Sequence, residues 1–159
     1  MRTASELDAA FAAWPPPLGV VVQIVQRLPG GRRALPEVAE LDVDGGLLGD
    51  RWSPTDPPGA QVSLIEHRVA KALQEPSELA GDNLVVDVDL IGMRPGQRLR
   101  IGTTELELTA EPHHGCAKFV RRYGLDAQRW VNRVEGRRGR YARVLRGGRV
   151  RLGDRVEVL

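Results

Sequence analysis

Short runs of Val, Ile and Leu recur along this chain, and each is cut by glycine or proline before it grows long: 18 glycines and 11 prolines are spread over 159 residues. Proline cannot continue a backbone ladder, and glycine turns the chain where other residues are strained. A chain punctuated in this way builds many short strands joined by tight turns, not long alternating strands and helices. Residues 18–28 read as a buried strand and 37–44 as a half-exposed one, with Val38, Leu41 and Val43 alternating against acids. Residues 61–65 and 84–90 follow as strands. Residues 98–101 and 105–109 flank Gly102-Thr103-Thr104 as a hairpin, and 140–145, 149–152 and 155–159 close the chain as strands. Helical periodicity is confined to 3–14, where Ser5 is the expected cap and Leu7, Ala10 and Phe11 share a face, and to 66–73, 117–123 and 126–134. This pattern predicts a mainly β fold, a closed mixed barrel with a few short peripheral helices, over residues 18–159, with residues 1–17 as a helical segment packed on it.

The length suits one domain and a core that needs no disulfide or structural metal. Aromatic residues are only 4% of the chain, so aliphatic side chains must fill that core. No stretch approaches the roughly 18 apolar residues of a membrane span. Glu6 and Asp8 near the start argue against a secretory signal, and a single cysteine excludes an internal disulfide, so a cytoplasmic protein is expected. Net charge is only +2, but arginine is dense between 118 and 155 while 37–50 leans acidic. That asymmetry points to an anionic ligand near the C-terminal half, or simply to a solvated basic face.

Chemistry, if the chain performs any, centres on Cys116 in Glu111-Pro112-His113-His114-Gly115-Cys116-Ala117-Lys118-Phe119. A strand ends before this loop and a helix begins about at the cysteine. The unpaired N–H groups of a helix start, together with Lys118, Arg121, Arg122 and the histidines, favour thiolate over thiol. Thiolate is both the useful nucleophile and a soft metal ligand. The competing reading is a free cysteine acting as a small hydrophobe. No zinc is expected, because His113, His114 and Cys116 are cramped, only His67 could add a nitrogen, and there is no second cysteine. The histidines are then loop residues that line a pocket or face solvent. The loops Gly46-Leu47-Leu48-Gly49-Asp50-Arg51 and Gly81-Asp82-Asn83-Leu84 match no usual phosphate cradle.

In their order and spacing, several of these pieces resemble the MOSC domain, the C-terminal module of molybdenum-cofactor sulfurases that also occurs as small free-standing bacterial proteins. The resemblance runs from about Leu18 to the C-terminus. It rests on Gly-Leu-Leu-Gly-Asp-Arg (46–51), Gly-Asp-Asn-Leu (81–84), Pro-Gly-Gln-Arg-Leu-Arg-Ile-Gly (95–102), Cys-Ala-Lys-Phe (116–119), Gly-Arg-Tyr-Ala-Arg-Val-Leu (139–145) and Gly153-Asp154. It implies a mostly β barrel of the pyruvate-kinase-barrel type and a functional cysteine at Cys116 that carries sulfur or ligates molybdenum held by a pterin dithiolene. The family's Gly-Glu-Asn segment falls on Gly81, Asp82 and Asn83, with Asp82 in the glutamate's place. Trp52 stands where the family has histidine after Gly-Asp-Arg, and Gly115 where proline often precedes the cysteine. Molybdopterin would find hydrogen-bond donors and cations in Asn83, Lys118, Arg51, Arg121, Arg122 and His114, with Asp82 beside them.

The resemblance implies a molybdenum-cofactor protein that reduces N-hydroxylated small molecules, or a persulfide carrier; either needs a separate electron- or sulfur-donor protein. An alternative is an arginine-rich barrel binding RNA or another polyanion through Arg129, Arg133, Arg137, Arg138, Arg140, Arg143, Arg146 and Arg149. Scarce aromatics and interspersed acids make nucleic acid the weaker expectation. A third is a degenerate family member without cofactor, whose cysteine would titrate near the ordinary value of about 8.5.

Overall fold

The computed structural model describes residues 1–74 and 76–159. Its twelve strands are β1 (Val20–Ile24), β2 (Gln26–Arg27), β3 (Arg33–Ala34), β4 (Val38–Asp42), β5 (Gly46–Leu47), β6 (Val62–Glu66), β7 (Leu84–Asp87), β8 (Arg98–Ile101), β9 (Thr104–Leu108), β10 (Arg140–Arg146), β11 (Gly148–Arg151) and β12 (Val156–Val158). Four helices accompany them: α1 (Ala4–Ala12), α2 (His67–Leu73), α3 (Ala117–Tyr123) and α4 (Leu125–Asn132).

Seven strands form one sheet in the order β1-β7-β6-β10-β9-β8-β12. All pairs are antiparallel except β6–β7, which are parallel because α2 lies in the crossover between them. The sheet nearly closes into a barrel. Val20 of β1 bridges Arg155 just before β12, and the seam is sewn by Val21 N–H to Asp154 O (2.9 Å), Gly153 N–H to Val21 O (2.8 Å) and Val156 N–H to Gly19 O (2.8 Å). A three-stranded sheet, β11-β4-β5, adds Ala39, Leu41, Leu47 and Val150 to the barrel interior.

Alternation along β6 and β7 explains the two cores. Leu64, Leu84 and Val86 point into the barrel, while Ile65 and Val85 point outward into a second cluster with Leu7, Val69, Leu73, Phe119, Tyr123, Trp130 and Val131 from the helices. Both strands are therefore buried on both faces, and each such aliphatic side chain contributes about 1.5–3 kcal/mol on burial. Helix α1 joins this layer through Leu7, through Phe11 edge-on to Trp130 (5.8 Å), and through Asp8 Oδ1, which accepts from Trp130 Nε1–H at 2.6 Å.

Two local expectations are corrected. The cap of α1 is Thr3, not Ser5: Thr3 Oγ1 accepts from Glu6 N–H (3.3 Å) while the Glu6 carboxylate accepts from Thr3 N–H (2.7 Å). In β4 the inward residues are Ala39 and Leu41, whereas Val38 and Val43 are exposed. Val38 faces out because the true period-2 register of β4 runs through the smaller Ala39. Among the described residues no helix is long and apolar enough to cross a membrane.

Candidate functional site

After β9 the chain leaves the barrel and runs through 110–116 to the start of α3, where Cys116 is the residue before the first helical turn. Helix α4 holds this loop in place: Gly115 N–H donates to Asn132 Oδ1 (3.0 Å), and Gln128 Nε2 donates to Gly115 O (2.8 Å). Gly115 itself is buried, and a Cβ there would lie 3.1 Å from both Gln128 Cγ and Phe119 Cδ1. The exposed thiol that follows is thus carried on a clamped backbone. Burial pushes the Cys116 thiol up. The backbone N–H groups of Phe119 and Lys118 and the charge of Arg138 outweigh that effect, so the net shift is below the ordinary thiol value.

Cys116 lines a cavity of about 220 Å³ together with six cationic side chains: Arg27, Arg33, Arg51, Lys118, Arg122 and Arg138. His113, His114, Phe119 and Tyr141 also line it, with Gly31, Ala80 and Gly81 between them. Four separate parts of the sequence supply the cations. The β2–β3 hairpin, turned by Gly30 and Gly31 at positive φ, places Arg27 directly opposite Arg33. The 46–51 loop adds Arg51, and α3 with the segment before β10 adds the others.

Two buried carboxylates organise this charge. Asp50, whose side chain is inaccessible, accepts from Arg27 Nε (3.0 Å) and Nη2 (2.6 Å) in a forked pair, and also from the backbone N–H groups of Arg27 (2.7 Å) and Trp52 (3.0 Å). Burial alone would raise its pKa, but these donors, the Arg27 guanidinium foremost, hold it below the usual carboxylate range. Asp82 accepts from Arg138 Nη1 at 2.7 Å, and Arg138 Nη2 donates to Ala80 O (2.8 Å). By contrast, Arg33, Arg51, Lys118 and Arg122 have no carboxylate partner among the described residues. Burial, and then the charges of Arg122, Arg51 and Arg27, lower the Arg33 pKa, as expected where like charges crowd.

On the cavity wall His113 is a neutral fixture. Its side chain is only 8% exposed, Nε2 lies 3.4 Å from Asp82 Oδ1, and the ring packs on Tyr141 with centroids 4.2 Å apart. Burial brings its pKa down to about 3 despite the opposing pull of Asp82, and Arg138 and Arg27 add to the depression.

The residues singled out from sequence divide cleanly. Cys116, Lys118, Arg122, His114 and Arg51 meet at this one cavity. Asp82 stands just behind it, holding Arg138. Arg121 is exposed on α3 and does not line the cavity. Asn83 is fully buried and joins strands: its Oδ1 accepts from Ser63 N–H (3.0 Å) and Ser63 Oγ–H (3.2 Å), and its Nδ2 donates to Val25 O (3.2 Å). Sequence reading missed Arg27, Arg33 and Tyr141 and did not separate Arg138 from the other arginines. The one available signal was the arginine ending the apolar run of β1–β2 at position 27. Much of the arginine-dense segment is paired: Arg143 with Glu107 (2.8 Å), Arg146 with Glu105 (3.4 Å), Arg149 with Glu40 (3.4 Å), Arg140 with Glu135 (3.0 Å) and Arg133 with Asp8 (3.4 Å). Around the thiol, by contrast, Arg33, Arg51, Lys118 and Arg122 stand together without a carboxylate partner among the described residues.

Comparison with known proteins agrees with this architecture. A family model described as the MOSC domain matches residues 58–157, well over half of the chain. Among solved structures, the YUAD protein from Bacillus subtilis superposes with a TM-score of 0.63 at 21% identity, covering 89% of this chain and 93% of that one. YiiM from Escherichia coli gives 0.60 at 20% identity, over 88% of this chain and 69% of that one. YiiM from Geobacillus stearothermophilus gives 0.59 at 14% identity, over 91% and 74%. These likenesses speak to the fold. No curated protein matches the chain in sequence.

Proposed function

The chain belongs to the MOSC domain family, and from that premise we propose that it binds molybdenum cofactor or passes sulfur, in either case through Cys116. One observation carries the reading: the single, acidified thiol stands on the wall of a cavity whose other walls include Arg33, Arg51, Lys118 and Arg122, cations with no carboxylate partner among the described residues. The donor set fits a pterin dithiolene with a phosphate arm. A thiolate is a soft ligand suited to such a metal, and guanidinium groups match phosphate oxygens. A bound cofactor would supply redox-active molybdenum for the reduction of an N-hydroxylated small molecule.

The chain's own part is positional. Cys116 offers one thiolate from a backbone clamped by Asn132 and Gln128. Arg33, Arg51, Lys118 and Arg122 hold the anionic arm. Arg27 and Arg138 are tied to Asp50 and Asp82, so these guanidinium groups are fixed in the wall and need not reorganise on binding. His113, neutral and packed on Tyr141, adds no competing charge at the wall.

In the sulfur-carrying variant the Cys116 thiolate attacks the outer sulfur of a donor protein's persulfide. The donor's S–S bond breaks, its cysteine leaves as thiolate, and Cys116 becomes the persulfide. Electron or sulfur donors are separate proteins in both cases.

The test is elemental molybdenum and released pterin in protein from a cofactor-competent host, beside Cys116→Ala. Molybdenum lost in the variant with pterin kept in both forms separates metal ligation from docking and supports the cofactor role. Absence of both from both forms overturns it and leaves sulfur transfer, read as a Cys116 persulfide after incubation with a persulfide donor.

A further inference from the structure

Another cavity, of about 300 Å³, opens beside the loop that leads to the thiol, and Cys116 is not in its wall. It shares His113, His114 and Arg138 with the cation cavity. Much of the rest of its wall is apolar, from Pro95, Ala110, Pro112, Val131 and Val134. The unpaired cations Arg33, Arg51, Lys118 and Arg122 do not line it.

Charge in this wall is already answered. Arg140 donates to Glu135 Oε1 (3.0 Å) and to Leu90 O (3.3 Å), and Gly136 leaves room for its guanidinium, since a Cβ there would lie 2.7 Å from Nη2. Arg138 is paired with Asp82 at 2.7 Å. The Glu111 carboxylate turns toward Gly59, which is outside this wall: a Cβ there would meet Glu111 Oε2 at 3.4 Å. A charged guest would have to shed water without gaining a counter-charge, so the cavity favours an uncharged one.

Two polar atoms are left over. His113 Nδ1 and Arg138 Nε are buried and have no hydrogen-bond partner among the described residues, on side chains each only 8% exposed. Nδ1 lies next to Gly139, which lines this cavity and not the one around Cys116; a Cβ there would come within 3.0 Å of it. At the other nitrogen of the ring, Nε2, stands the Asp82 carboxylate, which can only accept. The ring proton therefore belongs on Nε2, and Nδ1 is a bare acceptor. Arg138 Nε–H is a donor, and the bonds from Nη1 to Asp82 and from Nη2 to Ala80 O hold its guanidinium still. Both groups rest on Asp82. One unmet acceptor and one unmet donor on this shared support complement a group with N–H and C=O on neighbouring atoms.

We propose that this cavity is a further small-molecule site, taking an uncharged compound with a primary amide or lactam on a compact apolar body. Its N–H donates to His113 Nδ1 and its carbonyl accepts from Arg138 Nε. The site goes beyond the cofactor reading and does not depend on it, because none of the residues assigned to the anionic arm takes part. Its place still ties it to the thiol. His113 and His114 lead into Gly115, and Asn132, also in the wall, holds the Gly115 N–H.

Titration calorimetry on the full chain tests the site, with benzamide, benzoate and benzamidine as probes. Benzamide offers donor and acceptor together, benzoate only acceptors with a negative charge, and protonated benzamidine only donors with a positive one. Benzamide is expected to bind about tenfold or more tightly than either. Val134→Phe, which fills the cavity, should abolish that binding, and Cys116→Ala should leave it unchanged. Pyrophosphate, a probe of the cation cavity, should not compete. Nitrogen-15 NMR of the His113 ring adds a readout that needs no cavity variant to fold. At pH 7 Nδ1 should show the shift of a bare imidazole nitrogen and move upfield on saturation with benzamide. Equal binding of the three probes, competition by pyrophosphate, or an unmoved Nδ1 overturns the proposal. The cofactor reading fails on a separate measurement, the molybdenum and pterin content of the loaded protein.

Discussion

Arg27 and Arg33 stand directly opposite one another across the β2–β3 hairpin, two like charges in a cross-strand pair. Arg27 is neutralised by Asp50 while Arg33 is not, so the hairpin carries a repulsion that the fold alone does not require.

Arg33→Gln should therefore stabilise the protein slightly, by about 0.2–1 kcal/mol in urea denaturation. The same change should reduce the thermal stabilisation given by added pyrophosphate. A loss of stability with unchanged pyrophosphate response would show that Arg33 serves the hairpin and not the cavity.

Cys116 should react with iodoacetamide along a pH profile whose midpoint lies below the ordinary thiol value of about 8.5. Arg138→Gln, checked for folding by circular dichroism, should move that midpoint upward, because one of the charges favouring the thiolate is gone. A midpoint at the ordinary value in the wild type would fit a family member that has lost its chemistry.

Stability should fall as the solution is acidified from pH 7. His113 titrates at about 3 in the fold against about 6.5 in the unfolded chain. Between those values the unfolded state binds the extra proton, so the His113 contribution is complete above pH 6.5 and declines by up to about 1.4 kcal/mol per pH unit below it. Glu66 works the other way: burial raises its carboxyl despite the opposing bond from Arg68, so its folded form favours the protonated state just above its ordinary value. Asp50, held low by Arg27, adds a further loss only in stronger acid. Urea midpoints from pH 4 to 7 should show a flatter slope in His113→Gln, and an unchanged slope would contradict the assignment.

Asn83→Ala should cost about 2–4 kcal/mol, since it strands Ser63 N–H and Val25 O inside the barrel wall. The iodoacetamide profile of Cys116 in the surviving folded protein should be unchanged. A shifted profile with little loss of stability would instead mark Asn83 as part of the site.

What could be read in the sequence was what neighbours in the chain decide. Gly115 and Gly124 bracket α3, so its bounds and the position of Cys116 before its first turn were legible, as were Lys118 and Arg122 on the same segment. The barrel followed from short apolar runs and glycine turns. The opposite wall of the cavity was not legible, because Arg27 and Arg33 reach it only once the hairpin folds onto α3. Arg138 looks in sequence like its neighbours, and only the distant Asp82 distinguishes it. Asn83 illustrates the reverse error of emphasis: polar and glycine-flanked, it reads as a ligand contact, yet its partners are backbone and Ser63, some twenty and fifty-eight residues away.

The seam between Val20 and Arg155 also fixes an order of events during synthesis. The first strand of the barrel leaves the ribosome more than a hundred residues before its seam partner, Arg155. Until Val156–Val158 emerges, β1 presents an open edge beside β7, able to pair with any extended segment nearby. A translation pause before Gly153–Val156, or loss of that segment, should thus send this chain toward intermolecular strand pairing, and a permuted gene that joins the two seam segments through a short linker should fold faster because that contact becomes local.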